Sequence, residues 1–131
     1  HAVAHTADLL KFLGRSRHLT AAEQKRILDA VAARMEAPVF VWGEDERLAR
    51  AVLSLLNRDD FDAAGFDAWR ARLTARADGL WDGKLDASRF AAVQNTRNLL
   101  RALYVLLSVE AQPSPGRARA RDAVLESLGK L

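Results

Sequence analysis

The sequence of 131 residues contains no cysteine, only three prolines and seven glycines, and few aromatic residues. Without cysteine the chain can form neither disulfide bonds nor thiolate metal sites. Isoleucine and threonine are scarce, whereas alanine, leucine and arginine dominate, and this balance favours helices over strands. No apolar run reaches the roughly 20 residues of a membrane span, and no signal-peptide or lipidation motif is found. The composition therefore predicts an all-α, soluble protein with no membrane partner and with the cytoplasm as its default location.

The charge of the chain is modest, because 20 basic residues are interleaved with 17 acidic ones to give a net charge of +3. A calculated pI near 9.8 is compatible with nucleic-acid binding. However, the arginines near the C-terminus do not alternate with aromatic residues that could serve as stacking platforms. We therefore predict no nucleic-acid partner.

Start and stop signals predict six helices, over about 1–13, 20–35, 43–56, from 62 onward, 86–110 and 114–128. Thr20 and Glu23 form a capping box, in which hydroxyl and carboxylate each bind an otherwise unpaired amide. Ser114 followed by Pro115 is typical of a helix start. The stretch 99–109 is apolar on nearly every side, which predicts that the long fifth helix is buried.

The odd-numbered helices begin at a regular interval, near positions 1, 43 and 86. This spacing falls in the range of about 40–47 residues that HEAT and armadillo hairpins show. Each of these helices also carries an aliphatic pair followed three residues later by leucine, at 9–13, 52–56 and 99–103. We therefore predict three stacked αα-hairpins in a HEAT/armadillo-like α-solenoid, irregular because the helices differ in length.

Residues 1–131 fit one helical domain. The sequence opens on histidine, already inside an apparent helix. We therefore expect the C-terminal part of a longer protein, with the preceding segment packed against the first helix.

His1 and His5 lie one helical turn apart, and Asp8 continues the same stripe. This is the ligand spacing of the zinc-protease helix, but Ala2 occupies the place of its catalytic glutamate. Two histidines and an aspartate could still hold a metal ion. The alternative is that they bind neighbouring helices in a polar seam, and we favour that reading, with no cofactor.

Superposing the three hairpins on their aliphatic pairs brings polar side chains of the odd helices to one surface. His5 falls level with Asn95, Asp8 with Asn98, and His1 with Glu44. Such a set suits a small-molecule site, but it equally suits a buried hydrogen-bond network. Acidic residues at the start of the third helix are also explained by the helix dipole. The candidate binding residues are His1, His5, Asp8, Glu44, Asp45, Arg47, Asn95, Asn98 and Arg101.

Three motifs occur in order along the chain: HAVAHTADLL at 1–10, GEDERLA at 43–49 and NLLRALY at 98–104. With these motifs the sequence resembles the C-terminal half of a bacterial family labelled domain of unknown function 2785. The resemblance implies a mostly helical protein without an assigned activity. It points to the same positions as the hairpin superposition.

The chain has no glycine-rich phosphate loop, no Gly-x-Ser-x-Gly elbow and no cysteine nucleophile. We therefore expect a non-catalytic helical-repeat module that binds a protein or another ligand. The alternative is a metal-assisted or acid–base enzyme that uses His1, His5 and Asp8 together with Glu44 and Asp45.

Overall fold

A computed structural model describes residues 2–131 of the chain. This range contains six α-helices and no strands, which confirms the predicted all-α class. None of these helices is long and apolar enough to cross a membrane. The helices are α1 (Ala2–Gly14), α2 (Ala21–Arg34), α3 (Glu44–Leu56), α4 (Ala63–Ala75), α5 (Ala87–Ser108) and α6 (Pro115–Gly129).

Local capping side chains start four of the helices. The Thr20 hydroxyl accepts a hydrogen bond from the Glu23 amide at 3.2 Å, and the Glu23 carboxylate accepts one from the Thr20 amide at 3.4 Å. Asp62, Asp86 and Ser114 likewise accept a hydrogen bond from the amide three residues ahead. These contacts satisfy amides that the helix itself leaves unpaired, and they confirm the predicted starts of α2, α4, α5 and α6.

Alternate helices are neighbours in the fold. In one row α3 lies between α1 and α5, and in the other α4 contacts both α2 and α6. Helices α5 and α6 also pack closely on each other. Helices α3 and α4 do not form a simple hairpin, because their backbones do not lie close together within residues 2–131.

The two rows share one apolar core, to which all six helices contribute. At its centre Trp69 of α4 is fully buried, and its indole ring stacks on Phe66 with 5.6 Å between the ring centroids. The indole Nε1 donates a hydrogen bond to the Leu28 carbonyl of α2 at 2.8 Å. The core thus covers an aromatic side chain and also satisfies its polar atom, as burial requires.

Helix α5 is buried on one side only, which corrects the prediction of an all-round buried helix. Leu99, Leu103 and Leu107 are fully buried, but Val105 and Val109 are 58% and 74% exposed. Helices α3, α4 and α6 are the neighbours of α5 and leave the remaining side open. Part of the apolar stretch of α5 therefore lies on the surface of the protein.

Four connections between helices are held by polar side chains, three of which come from elements distant in the sequence. Arg58 donates to the carbonyls of the α1–α2 connection, including that of Gly14 at 3.0 Å. Its guanidinium also lowers the pKa of the Asp60 carboxyl through a hydrogen bond. Corresponding clamps hold α2–α3, α3–α4 and α4–α5, formed by Asn95, Gln24 and Arg89 respectively.

Asp29 of α2 is expected to link stability to pH. It accepts hydrogen bonds from Lys25 at 2.8 Å and from Arg72 of α4 at 2.5 Å. The bond from Lys25 is the largest cause that holds the pKa of Asp29 below its usual 3.8; burial opposes the shift and Arg72 adds to it. Because the folded state favours the carboxylate, this contribution is present above pH 4 and is lost as the pH falls through the folded pKa.

Between pH 5 and pH 2, the free energy of unfolding should therefore fall less in Asp29→Asn than in the unmodified protein. The difference should be less than about 1 kcal/mol, because the side chain is partly exposed. Urea unfolding at a series of pH values would measure this loss. Asp122→Asn serves as the control, because Asp122 is an exposed residue of α6. An unchanged acid dependence in Asp29→Asn would contradict the prediction.

Candidate functional site

An open groove of about 700 Å³ lies between α3 and α5. We call it the α3–α5 groove. It contains three of the residues predicted from the sequence, Asp45, Asn98 and Arg101. Its lining comprises Asp45, Glu46 and Arg50 from α3, and Asn98, Arg101, Ala102, Val105, Leu106 and Val109 from α5 and its C-terminal cap.

The α3 wall begins at Gly43, whose φ of 78° turns the chain into the helix in a conformation that suits glycine. The acidic residues that follow lie in the first turn of α3, where the helix dipole stabilises negative charge. Asp45 accepts a hydrogen bond from the Glu46 amide at 2.9 Å. The Glu46 carboxylate in turn binds Arg50 at 2.7 Å. Both acids of the groove therefore already have a stabilising contact.

The α5 wall presents polar and apolar side chains in succession. The Asn98 side-chain oxygen accepts a hydrogen bond from Gln94 at 3.0 Å. Arg101 is exposed, and its side chain forms no hydrogen bond or ion pair with any residue in the range 2–131. Beyond it lie Val105 and Val109, both largely exposed. The groove therefore places an unpaired guanidinium beside an apolar strip.

The candidate residues of α1 lie outside this groove. Asp8 forms an ion pair with Arg47 at 3.3 Å, so these two predicted residues do meet and connect α1 to α3. Both side chains are about half exposed. His5 is exposed on α1, and His1 lies outside the described residues. The half-exposed ion pair contributes modestly to stability, of the order of 0–1 kcal/mol.

Two other candidates hold the connection that leads into α3. Glu44 is buried, and its carboxylate accepts a hydrogen bond from the Trp42 amide at 2.7 Å. Asn95 is fully buried and accepts a hydrogen bond from the Phe40 amide at 2.9 Å. Its side-chain nitrogen donates to three carbonyls of the same connection, those of residues 35, 37 and 38. Both side chains therefore bind backbone groups of the α2–α3 connection.

Some of the residues that the hairpin superposition assigns to one surface lie together in the structure, and others do not. His5 and Asn95, which it made equivalent, lie on the surface and in the interior respectively. Within residues 2–131, no three histidine, aspartate or glutamate side chains lie close enough together to hold a metal ion. Of the metal candidates His1, His5 and Asp8, His1 lies outside this range.

Sequence reasoning missed the apolar part of the groove. Arg101, Val105 and Val109 are spaced four residues apart, which places them on one face of a helix. That spacing was a usable signal. It was hidden because the whole stretch is rich in apolar residues and was therefore predicted to be buried.

Over residues 2–131, these features define an all-helical protein in which six helices form two contacting rows around one core, with an open groove between α3 and α5. The chain belongs to the family described as "Protein of unknown function (DUF2785)", whose family model matches residues 1–105, from α1 through most of α5. This match confirms the resemblance seen in the sequence motifs. Comparison with curated proteins and with solved structures found no match to the chain.

Proposed function

We propose that this protein is a non-catalytic binding module of the α-solenoid type, and that the α3–α5 groove is its binding surface. The side-by-side contacts of α1, α3 and α5, with α4 between α2 and α6, support a stack like that of HEAT and armadillo repeats. In such stacks one row of helices forms an extended surface for partners. The groove lies on the row of odd-numbered helices.

The unpaired guanidinium of Arg101 is the observation that carries this proposal. Glu46 is bound to Arg50, and Asp45 lies at the positive end of the α3 dipole. Arg101 is the groove side chain whose charge is left for a ligand, and a guanidinium matches a carboxylate with two parallel hydrogen bonds. The adjacent Val105 and Val109 favour apolar groups. The ligand class is therefore a peptide segment that carries a carboxylate next to apolar side chains.

The enzyme alternative receives less support from these contacts. The Glu44 carboxylate is used by the Trp42 amide, and Asp8 is used by Arg47. Within residues 2–131, neither carboxylate forms a hydrogen bond with His5. We retain the binding module as the proposed function.

Arg101→Gln is expected to weaken binding of a peptide carboxylate by about tenfold, because a charge-assisted hydrogen bond contributes about 1.5–3 kcal/mol and the amide retains only part of it. The probe is N-acetyl-leucyl-leucine with a free carboxylate, titrated into the protein and followed by amide chemical shifts. The shifts should concentrate along α3 and α5 at the groove. The same dipeptide with an amidated C-terminus should bind more weakly to the unmodified protein.

Arg119→Gln is the matched control, because Arg119 is an exposed arginine on α6 away from the groove. It should bind the dipeptide as the unmodified protein does. The proposal would be contradicted if the acid and the amide bound equally well, or if both arginine variants lost the same affinity.

A further inference from the structure

A second groove on the row of odd-numbered helices lies between α1 and α3. It has a volume of about 260 Å³, and three of its lining side chains are basic. We call it the α1–α3 groove. Among residues 2–131 no carboxylate belongs to its lining, in contrast to the α3–α5 groove. The lining comprises Lys11 and Arg15 from α1 and the turn that follows it, and Arg50, Leu53, Ser54 and Asn57 from α3 and its C-terminal cap.

Helical spacing and one glycine bring these side chains together. The four lining residues that α3 contributes are spaced at i, i+3, i+4 and i+7, which places them on one face of the helix. Helix α1 comes close to that face because Gly14 has no side chain, and a methyl group there would collide with the Ser54 hydroxyl. The next residue, Arg15, is therefore held beside α3.

Most of the polar side chains in the lining have hydrogen-bond donors without a partner. Within residues 2–131, the side chains of Lys11, Arg15 and Asn57 form no hydrogen bond or ion pair. Arg50 binds Glu46 through Nε and Nη2, and its Nη1 has no partner in the same range. The groove therefore combines two unpaired cations with a third guanidinium that keeps a free donor and with an amide donor.

The helix dipole explains only part of this arrangement. Lys11 and Arg15 lie at the C-terminal end of α1, where the dipole favours cations. However, the carbonyls of residues 12 and 13 already accept backbone amides at 3.2 and 3.0 Å, and that of Gly14 accepts the Arg58 guanidinium at 3.0 Å. The third cation of the groove lies in the middle of α3, where the dipole has no such effect. The lining as a whole thus matches an anion from outside the chain.

Acidic residues near the groove limit the size of that anion. Asp59 and Asp60 line the neighbouring groove, which shares Arg15 with this one, and Glu46 lines the α3–α5 groove on the other side. A nucleic-acid backbone needs a row of phosphate contacts, and these carboxylates would repel the phosphates next to the first. A volume of about 260 Å³ lies just below the range of about 300–1,000 Å³ for ligand pockets. It suits one anionic group with a small carrier.

We infer that the α1–α3 groove binds the phosphate group of a small phosphorylated molecule. Lys11, Arg15 and the free Nη1 of Arg50 would bind its oxygens through charge-assisted hydrogen bonds, with the Asn57 amide as a further donor. A carboxylate has one charge and two oxygens, so it would use fewer of these donors than a dianionic phosphate. Leu53 offers an apolar contact to the carrier. The site does not use Arg101 and is independent of the proposed peptide site.

The probe is phenyl phosphate at pH 8, where the phosphate is a dianion. It is titrated into the 131-residue protein at constant ionic strength and followed by amide chemical shifts. The shifts should concentrate in the C-terminal halves of α1 and α3. Benzoate, which carries a carboxylate on the same ring, should bind about fivefold more weakly. Inorganic phosphate has no ring to contact Leu53 and should bind at the same amides about threefold more weakly than phenyl phosphate.

Lys11→Gln and Arg15→Gln should each weaken binding of phenyl phosphate about fivefold. Both variants should keep the native melting temperature, because neither side chain has a partner within residues 2–131. Arg119→Gln on α6 is the matched control and should bind phenyl phosphate normally.

The inference would be overturned if benzoate bound as tightly as phenyl phosphate, or if the three variants lost the same affinity. Equal binding of inorganic phosphate and phenyl phosphate would also overturn it, because the groove would then recognise free phosphate. So would tighter binding of a single-stranded oligonucleotide at the same amides, since the groove would then belong to a nucleic-acid surface.

Discussion

Asn95→Ala is expected to lower the free energy of unfolding by about 3 kcal/mol, because it removes a fully buried amide that holds the α2–α3 connection. The Phe40 amide would lose its acceptor at 2.9 Å, and the carbonyl of Ala37 would lose its donor at 3.0 Å. Two further carbonyls, those of residues 35 and 38, would be affected. Equilibrium urea unfolding followed by circular dichroism measures the change.

Asn98→Ala provides the matched comparison on the same helix. Asn98 is half buried and accepts one hydrogen bond, from Gln94. Its replacement should therefore cost less than about 1 kcal/mol. If Asn95→Ala were as stable as Asn98→Ala, Asn95 would not hold the connection, and the description of it as a clamp would be wrong.

Trp69→Ala is expected to have the largest effect on stability, a loss of about 4 kcal/mol. The side chain is fully buried in the shared apolar core, and its removal would leave a cavity that Phe66 and Leu28 cannot fill without moving. The Leu28 carbonyl would also lose the indole donor at 2.8 Å. Trp69→Phe keeps most of the apolar volume and should cost less, about 2 kcal/mol, through the lost hydrogen bond and a smaller cavity.

Trp81→Ala is the corresponding control. Trp81 is 74% exposed and contacts the Phe90 ring edge-on, with 5.9 Å between centroids. Removing it should change the free energy of unfolding by less than about 1 kcal/mol. Thermal and urea unfolding of the three variants would test the order, and a Trp81→Ala loss equal to that of Trp69→Ala would contradict the assigned core.

The helix starts were predictable because capping depends on residues a few positions apart. Thr20 and Glu23 bind each other's backbone amides, and Ser114 binds the amide three residues ahead, next to Pro115. The helix ends were less accurate. The long fifth helix was expected to reach Glu110 but ends at Ser108. Helix C-termini fray, and the residue assigned as the last one varies by one or two positions.

The candidate groove was predictable in part. Asp45, Asn98 and Arg101 were found because the helix period places them on corresponding faces of α3 and α5. Glu44 and Asn95 were found by the same reasoning, but they hold backbone amides of the α2–α3 connection. Helical spacing says which side of a helix a residue occupies. It does not say which neighbour lies there.

The amino-acid sequence by itself determined the all-α class, the number of helices and most of their starts, since these depend on propensity and on hydrogen bonds within one turn. Only the tertiary structure decided which tryptophan is buried, which polar side chains clamp connections, and which face of α5 stays open with Arg101 unpaired. Those outcomes depend on contacts between residues more than 30 positions apart, such as Trp69 with Leu28 and Asn95 with Phe40. Local pattern carries no information about such contacts, because burial and pairing are set by how the helices pack.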